Sequence, residues 1–213
     1  MTVKTTPHTL GVGTQIHNAN IMAAKVFLKK EYGNKYDAEP HFNFIIMAIP
    51  DYRVKDIEDR LDTYFKKLKP LKLKLGNLRY EEKQQFYSIP IVGEEAMTFH
   101  KELIAILNPI RDGYIREKDL VRITEGKTDA LEEEYINKYG YLRVLDKFTP
   151  HITLGNIQTA EVNQDDIQNK LTDFLGTLYG SILTIDEIRA DFIVDADVQS
   201  NYKRIWNKMY RLA

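Results

Sequence analysis

Residues 150–153 read Pro150-His151-Ile152-Thr153, and residues 40–43 read Pro40-His41-Phe42-Asn43. Each copy opens an apolar run, Phe42 to Ile49 in the first and Ile152 to Ile157 in the second. Short apolar runs bounded by turn-forming residues read as buried strands. Residues two apart on a strand face the same side, so His41 points with Asn43 and His151 with Thr153. Two imidazoles, each beside a short hydrogen-bonding side chain, suit acid–base chemistry at one phosphate. One ring takes a proton and the other gives it, with no metal required.

The match extends beyond these tetrapeptides. A shift of 110 positions sets His41 on His151, Asp56 on Asp166, Ile57 on Ile167 and Leu61 on Leu171 without a gap. It also sets Phe65 on Leu175, Leu73 on Leu183, Leu75 on Ile185 and Leu78-Arg79 on Ile188-Arg189. Apolar matches alone arise between any two strand–helix–strand units. Two Pro-His pairs at one point of the unit argue for true repetition, on the scale of a lobe rather than a solenoid module. The expected organisation is a single bilobal domain over 1–213, with repeat units at about 38–92 and 148–196 and a charged insertion at about 110–147.

Periodicity supplies the elements. Thr9 to Ile16 reads as a strand, followed by a helix capped by Asn18 and stopped at Gly33, then a loop from Asn34 to Pro40. Asp51 is read as the cap of a helix running to about Lys69, before Pro70. Leu71, Leu73 and Leu75 alternate with lysines, as in a half-buried strand, and a turn over Arg79 to Gln84 leads to a strand over Phe86 to Val92. Glu94 to Leu107 and Asp165 to Leu178 read as helices. Leu183 to Arg189 reads as a strand continuing to Asp195, and Tyr202 to Leu212 as a final strand in preference to a basic helix. Residues Ile110 to Lys147 are densely charged, with a capping box at Asp129 and Glu132. They read as a solvated insertion or as a lid over the site. The fold class predicted is α+β: two pseudo-symmetric lobes, each a small antiparallel sheet with flanking helices, around a central cleft that sets His41 opposite His151.

Composition narrows the function. The chain has 213 residues, 43% hydrophobic and 29% charged, as in ordinary globular proteins. Its formal net charge of −1 gives no global basic field for nucleic acid, so phosphate recognition has to be local. It has no cysteine, which removes disulfides, thiol nucleophiles and thiolate-bound metal. No metal-ligand cluster has convincing spacing, and no cofactor or metal is expected. No apolar run reaches membrane-spanning length and no signal-peptide core is visible, so the expected location is the cytoplasm. Gly126-Lys127-Thr128 lacks the earlier glycine of a phosphate-binding loop, because position 121 is Val121.

Pro-His-Ile-Thr-Leu on a strand, paired with an earlier Pro-His copy, resembles the two-histidine phosphoesterase superfamily, which includes 2′-5′ RNA ligase-like proteins and cyclic phosphodiesterases. The resemblance runs from Thr9 to Leu212, excluding Ile110 to Lys147. It implies that His41 and His151 are the catalytic pair and that Thr153, with Asn43 in the matching place, binds phosphate. It further implies a nucleotide or RNA end carrying a cyclic or 2′-linked phosphate as the substrate, with no membrane or obligate protein partner. Asn43 departs from the family's threonine or serine: it keeps a donor but loses the hydroxyl. A phosphodiesterase, a nucleotide- or RNA-binding module without catalysis, and a 2′-5′ ligase all remain open at this point. His8, His17, His100, Arg79 and Arg189 are secondary candidates, each more ordinary as a structural or surface residue. Tyr87 and Phe42 can stack on a base but suit the core better.

Overall fold

A computed structural model describes residues 3–33, 38–82, 85–157, 163–194 and 203–213. The expected loop at 34–37, the turn residues 83 and 84, and the strand ends at Asp195 and Tyr202 lie outside these residues. Strands β1 (Thr5–Thr6) and β2 (His8–Gln15) lead to α1 (Ala19–Tyr32). The Asn18 side chain accepts from the backbone of Asn20 and Ile21, and Gly33, at φ 65°, closes the helix. Next come β3 (His41–Ala48), α2 (Val54–Phe65), β4 (Leu71–Leu75), β5 (Arg79–Glu81), β6 (Phe86–Val92) and α3 (Glu95–Leu107). The helix expected to begin at Asp51 starts as one 3-10 turn, Asp51–Arg53, with no side-chain cap, and ends at Phe65, short of Lys69. The rest comprises β7 (Ile115–Arg116), α4 (Glu117–Thr124), α5 (Ala130–Tyr139), β8 (His151–Asn156), α6 (Gln164–Leu175), β9 (Ile182–Ile185), β10 (Glu187–Val194) and β11 (Lys203–Arg211). The final strand is a strand, as its alternation predicts.

The fold is α+β with two main antiparallel sheets. One has the order β11-β10-β2-β3. In the other, β6 pairs with β8 on one side and with β4 and β5 on the other, and β9 extends it beyond β4. Neither sheet comes from one continuous stretch. The first takes β2 and β3 from the N-terminal part and β10 and β11 from the C-terminal part. Helices cross as well: α1 packs on β8 and α6, whereas α3 packs on β3 and α2. One core joins both sheets and includes Phe42, Phe44, Tyr87, Leu154 and Phe192, so Tyr87 and Phe42 are core residues rather than stacking platforms.

The registers repeat in detail. Asn43 pairs with Gly13 and Ile45 with Val12, so Phe44 bulges out of register; Thr153 pairs with Ser88 and Gly155 with Tyr87, so Leu154 does the same. Phe44 and Leu154 are 110 residues apart. Leu73 pairs with Leu183, again 110 apart, as an antiparallel pair astride a local twofold would. Arg79 pairs with Ser88 and Arg189 with Gly13. The partners of the two histidines, Gln15 and Pro90, are only 75 apart. The difference of 35 residues lies between α3 and β8, where the charged segment enters. These are the pairings that a duplicated β–α–β–α–β–β unit would make.

Each bulge buries two consecutive residues, Phe44-Ile45 and Leu154-Gly155, where regular pleating would bury one. The strand thus presents His and Asn or Thr on its open face and turns apolar side chains inward just beyond them. Replacing the fully buried Leu154 by alanine removes core packing at this point and is expected to cost about 2–5 kcal/mol, measured by denaturant unfolding.

Candidate functional site

Both histidines are set by the proline before them. Proline lacks an N–H, so strand pairing begins at its carbonyl. Pro40 accepts from the Ile16 N–H at 2.8 Å, and Pro150 from the Ile91 N–H at 2.9 Å. The carbonyl one residue earlier is turned to the imidazole. His41 Nδ1 lies 2.8 Å from the Glu39 carbonyl oxygen, and His151 Nδ1 lies 2.7 Å from that of Thr149. A carbonyl only accepts, so Nδ1 carries hydrogen in both rings and Nε2 is the nitrogen that takes or gives a proton.

The four residues singled out in the sequence come together. His41, Asn43, His151 and Thr153 line one cavity of about 160 Å³ between β3 and β8, which are in contact. A larger groove of about 860 Å³ runs between α2 and α3, and no histidine lines it. Desolvation pushes His41 below the ordinary imidazole range, and the positive charges of Lys25, Arg189 and His151 add to this against an opposing hydrogen bond to Glu39. Neutral His41 is suited to accept a proton. Gly13 makes room for Asn43: a Cβ there would sit 2.8 Å from Asn43 Oδ1 and 2.5 Å from the Phe42 carbonyl oxygen.

The secondary candidates divide. Arg189 follows Gly13 and Asn43 across the sheet and is bound to Asp191 at 2.6 Å. Arg79 is solvated and paired with Glu81. His8 stacks on Phe192, and His17 lines a separate cavity with Glu39. His100 is structural, as expected of a histidine inside a helix. It is fully buried, with Nδ1 2.6 Å from the carbonyl oxygen of the bulge residue Phe44 and Nε2 accepting from the Leu145 N–H at 3.0 Å.

Sequence reasoning missed Tyr141, Arg143 and Phe148, which line the same cavity. The segment that carries the first two was read either as a solvated insertion or as a lid; it is a folded wall. Ile115, Ile136 and Leu142 form its own small core. Asp119, fully buried, binds Arg116 at 2.5 Å, and the Arg116 guanidinium lies 4.5 Å from the Tyr141 ring centre. Buried Arg111, pushed down to about 10 by desolvation, ties the end of α3 to the carbonyls of Tyr114 and Asn137. Phe148 stacks on His100 at 4.0 Å. The sequence offers one signal for this wall, the capping box of α5 at Asp129 and Glu132, which the structure contains.

Among the described residues, no cluster of three histidine, aspartate or glutamate side chains is arranged to hold a metal, and no helix is long and apolar enough to cross a membrane.

The family described as a protein of unknown function, DUF1045, matches residues 47–195. No curated protein matches the chain. Among solved structures, TT0787 of Thermus thermophilus is similar over 96% of this chain and 98% of its own, with a TM-score of 0.56 at 12% identity. LigT of E. coli covers 96% and 98% at 8% identity, with a TM-score of 0.48. Usb1 of Kluyveromyces marxianus covers 96% and 97% at 12% identity, with a TM-score of 0.41. At 12% identity the likeness to TT0787 speaks to the fold alone.

Two outcomes follow from this geometry. Gly13→Ala is expected to destabilise the protein by about 1–3 kcal/mol in thermal unfolding, because a backbone carbonyl is the nearest clash. Burial lowers the pKa of His100, so the unfolded chain takes up a proton there before the folded protein does. Stability is therefore full above about pH 6.5 and falls as pH drops below it. His100→Phe leaves the Leu145 N–H and the Phe44 carbonyl unmet, at about 1–3 kcal/mol each, and flattens part of that pH slope; urea midpoints across pH 5–8 measure both effects.

Proposed function

The chain belongs to the DUF1045 family and has the fold of the two-histidine phosphoesterases, and on that premise we propose that it is a metal-independent phosphodiesterase acting on a cyclic or 2′-linked nucleotide phosphate. Phosphodiester chemistry is the coarse reading that this fold supports. The observation that carries the finer one is the pair of imidazoles lining one cavity, each with Nδ1 engaged by the carbonyl two residues earlier.

The lowered pKa of His41 suits it to the base, which leaves His151 as the acid. Asn43 and Thr153 donate hydrogen bonds to non-bridging phosphate oxygens. Neutral His41, whose pKa is lowered, removes the proton from an attacking water at Nε2. His151, protonated, gives its Nε2 proton to the leaving oxygen. For a 2′,3′-cyclic phosphate, water adds at phosphorus, one P–O ester bond breaks, and the departing sugar oxygen leaves as a hydroxyl. The ligand is a nucleotide or RNA end with such a phosphate. The domain reading goes with this one: a single bilobal unit over 1–213, with repeats at about 38–92 and 148–196 and residues 110–147 inserted. The matched bulges and the Leu73–Leu183 pairing support repetition of the two motif strands, while the pairing of β6 with β8, which matches that of β2 with β3, assigns β6 to the second copy rather than to the end of the first.

Asn43 favours one other reading, a nucleotide-binding protein that has lost turnover, because the amide lacks the hydroxyl of the family pattern. The two readings separate in one assay. Hydrolysis of 2′,3′-cyclic mononucleotides and 2′-5′-linked dinucleotides is measured in EDTA, with His41→Ala and His151→Ala as controls. The expected result is turnover that survives EDTA and falls by about 10²–10⁴ in either variant, with both variants folded. Substantial activity in either variant overturns the two-histidine mechanism. Binding without product in the wild type supports the non-catalytic reading. The acid limb of kcat/KM is expected below about pH 6.5, because a lowered pKa keeps His41 basic as pH falls; a limb above that value contradicts His41 as the base.

A further inference from the structure

The cavity is small. A sphere of about 160 Å³ is roughly 7 Å across, well below the roughly 300–1,000 Å³ of clefts for drug-sized ligands. A phosphate group fits within it, and whatever occupies it lies close to its walls. Three of those walls are β3, β8 and the segment after α5, which contributes Tyr141 and Arg143.

That segment is held firmly at several points. Gly140 caps α5 at φ 74°, where a Cβ would lie 2.7 Å from the Arg111 side chain. Tyr141 packs beneath the Arg116 guanidinium. Leu145 stands at φ 52°, unusual for a residue with a side chain, and its N–H is bound by His100. The Asp146 carboxylate is taken by the Tyr135 hydroxyl, and Lys147 is bound to Asp129 at 2.8 Å. Every charged neighbour of Arg143 within the segment is therefore satisfied elsewhere. Arg143 is exposed, and among the described residues no carboxylate forms an ion pair with it. A cation without a counterion on a rigid wall of an anion-sized cavity is a binding site for that anion. A guanidinium presents a planar fork that matches two phosphate oxygens.

We propose that Arg143, supplied by the inserted segment, is a substrate-binding residue that holds the non-bridging oxygens of the phosphate seated between His41 and His151. This rests on the phosphate-site reading above but not on turnover. It also narrows the substrate: the uncompensated charge favours a phosphate with a free face of at least two non-bridging oxygens, and favours a doubly charged monoester product over the singly charged diester. The protein is thus expected to bind its own product well.

Calorimetric titration of the full chain with adenosine 2′-phosphate, inorganic phosphate and adenosine tests this, using the wild type, Arg143→Ala and Arg143→Lys. The expected loss in adenosine 2′-phosphate affinity for Arg143→Ala is roughly 10- to 100-fold, the range for one charged hydrogen-bonding partner. Arg143→Lys is expected to recover part of it, adenosine to bind weakly throughout, and the melting temperature to stay unchanged, since among the described residues Arg143 makes no hydrogen bond or ion pair. Affinity and salt dependence unchanged in Arg143→Ala overturn the proposal. So does a wild type that binds neither phosphate ligand at millimolar concentration. A parallel turnover assay keeps the two readings apart. A wild type that binds in an Arg143-dependent way but hydrolyses no diester sinks the catalytic reading alone. A wild type that turns over a cyclic phosphate while Arg143→Ala binds and reacts normally sinks only the Arg143 proposal.

Discussion

The site depends on a backbone irregularity present in both motif strands. At Phe44 and at Leu154 the strand skips one residue against its partner. Without the skip, period-two alternation would carry the open face on to residues 45 and 155, and the apolar run could not be buried. With it, the first and third residues of each strand face the cavity, and the residues just beyond the skip turn into the core. The carbonyl of Phe44 is then held by His100, which also holds Leu145 in the inserted segment. One buried imidazole therefore couples the bulge, helix α3 and the third wall of the cavity. Its neutrality matters, because a charged ring has no lone pair for the Leu145 N–H.

Much of this was legible in the sequence. The Pro-His pairs and their equal place in a 110-residue shift pointed to two matched strands, and β3, β8, β6 and β11 lie within a residue or two of expectation. The four motif residues line one cavity. The bulges were not legible, since an apolar run reads the same whether or not one residue leaves the ladder. Interleaving was hidden for a related reason: periodicity reports which face of a strand is buried, not which strand lies beside it. The likeness of β2 to β6 was not legible from the 110-residue shift, because the residues that pair with the two histidines, Gln15 and Pro90, are 75 apart.

The inserted segment misled for a compositional reason. Dense charge of both signs ordinarily means a solvated surface. Here Asp119, Arg116 and Arg111 are buried, and each is satisfied locally: Asp119 by Arg116, and Arg111 by an asparagine side chain and two backbone carbonyls. Buried charges pair, but pairing is invisible when only counts are read. The aromatic residues were the better clue, since Tyr141 and Phe148 pack against ionisable groups at the cavity rather than against solvent.

Strand β2 pairs with β3 on one side and with β10 on the other, and the partner of Gly13 in β10 is Arg189, 176 positions along the chain. During synthesis the first sheet cannot close until β10 and β11 have left the ribosome. Until then β2 offers an unpaired edge to any other strand in reach. Pairing between such distant segments is slow, because loop closure precedes any compensating contact. Cutting the chain between β3 and β8 would not yield two half-proteins, since each half lacks strands that the other supplies. The two histidine motifs are thus bound into one folding unit: neither motif strand has a complete sheet without strands from the far end of the chain.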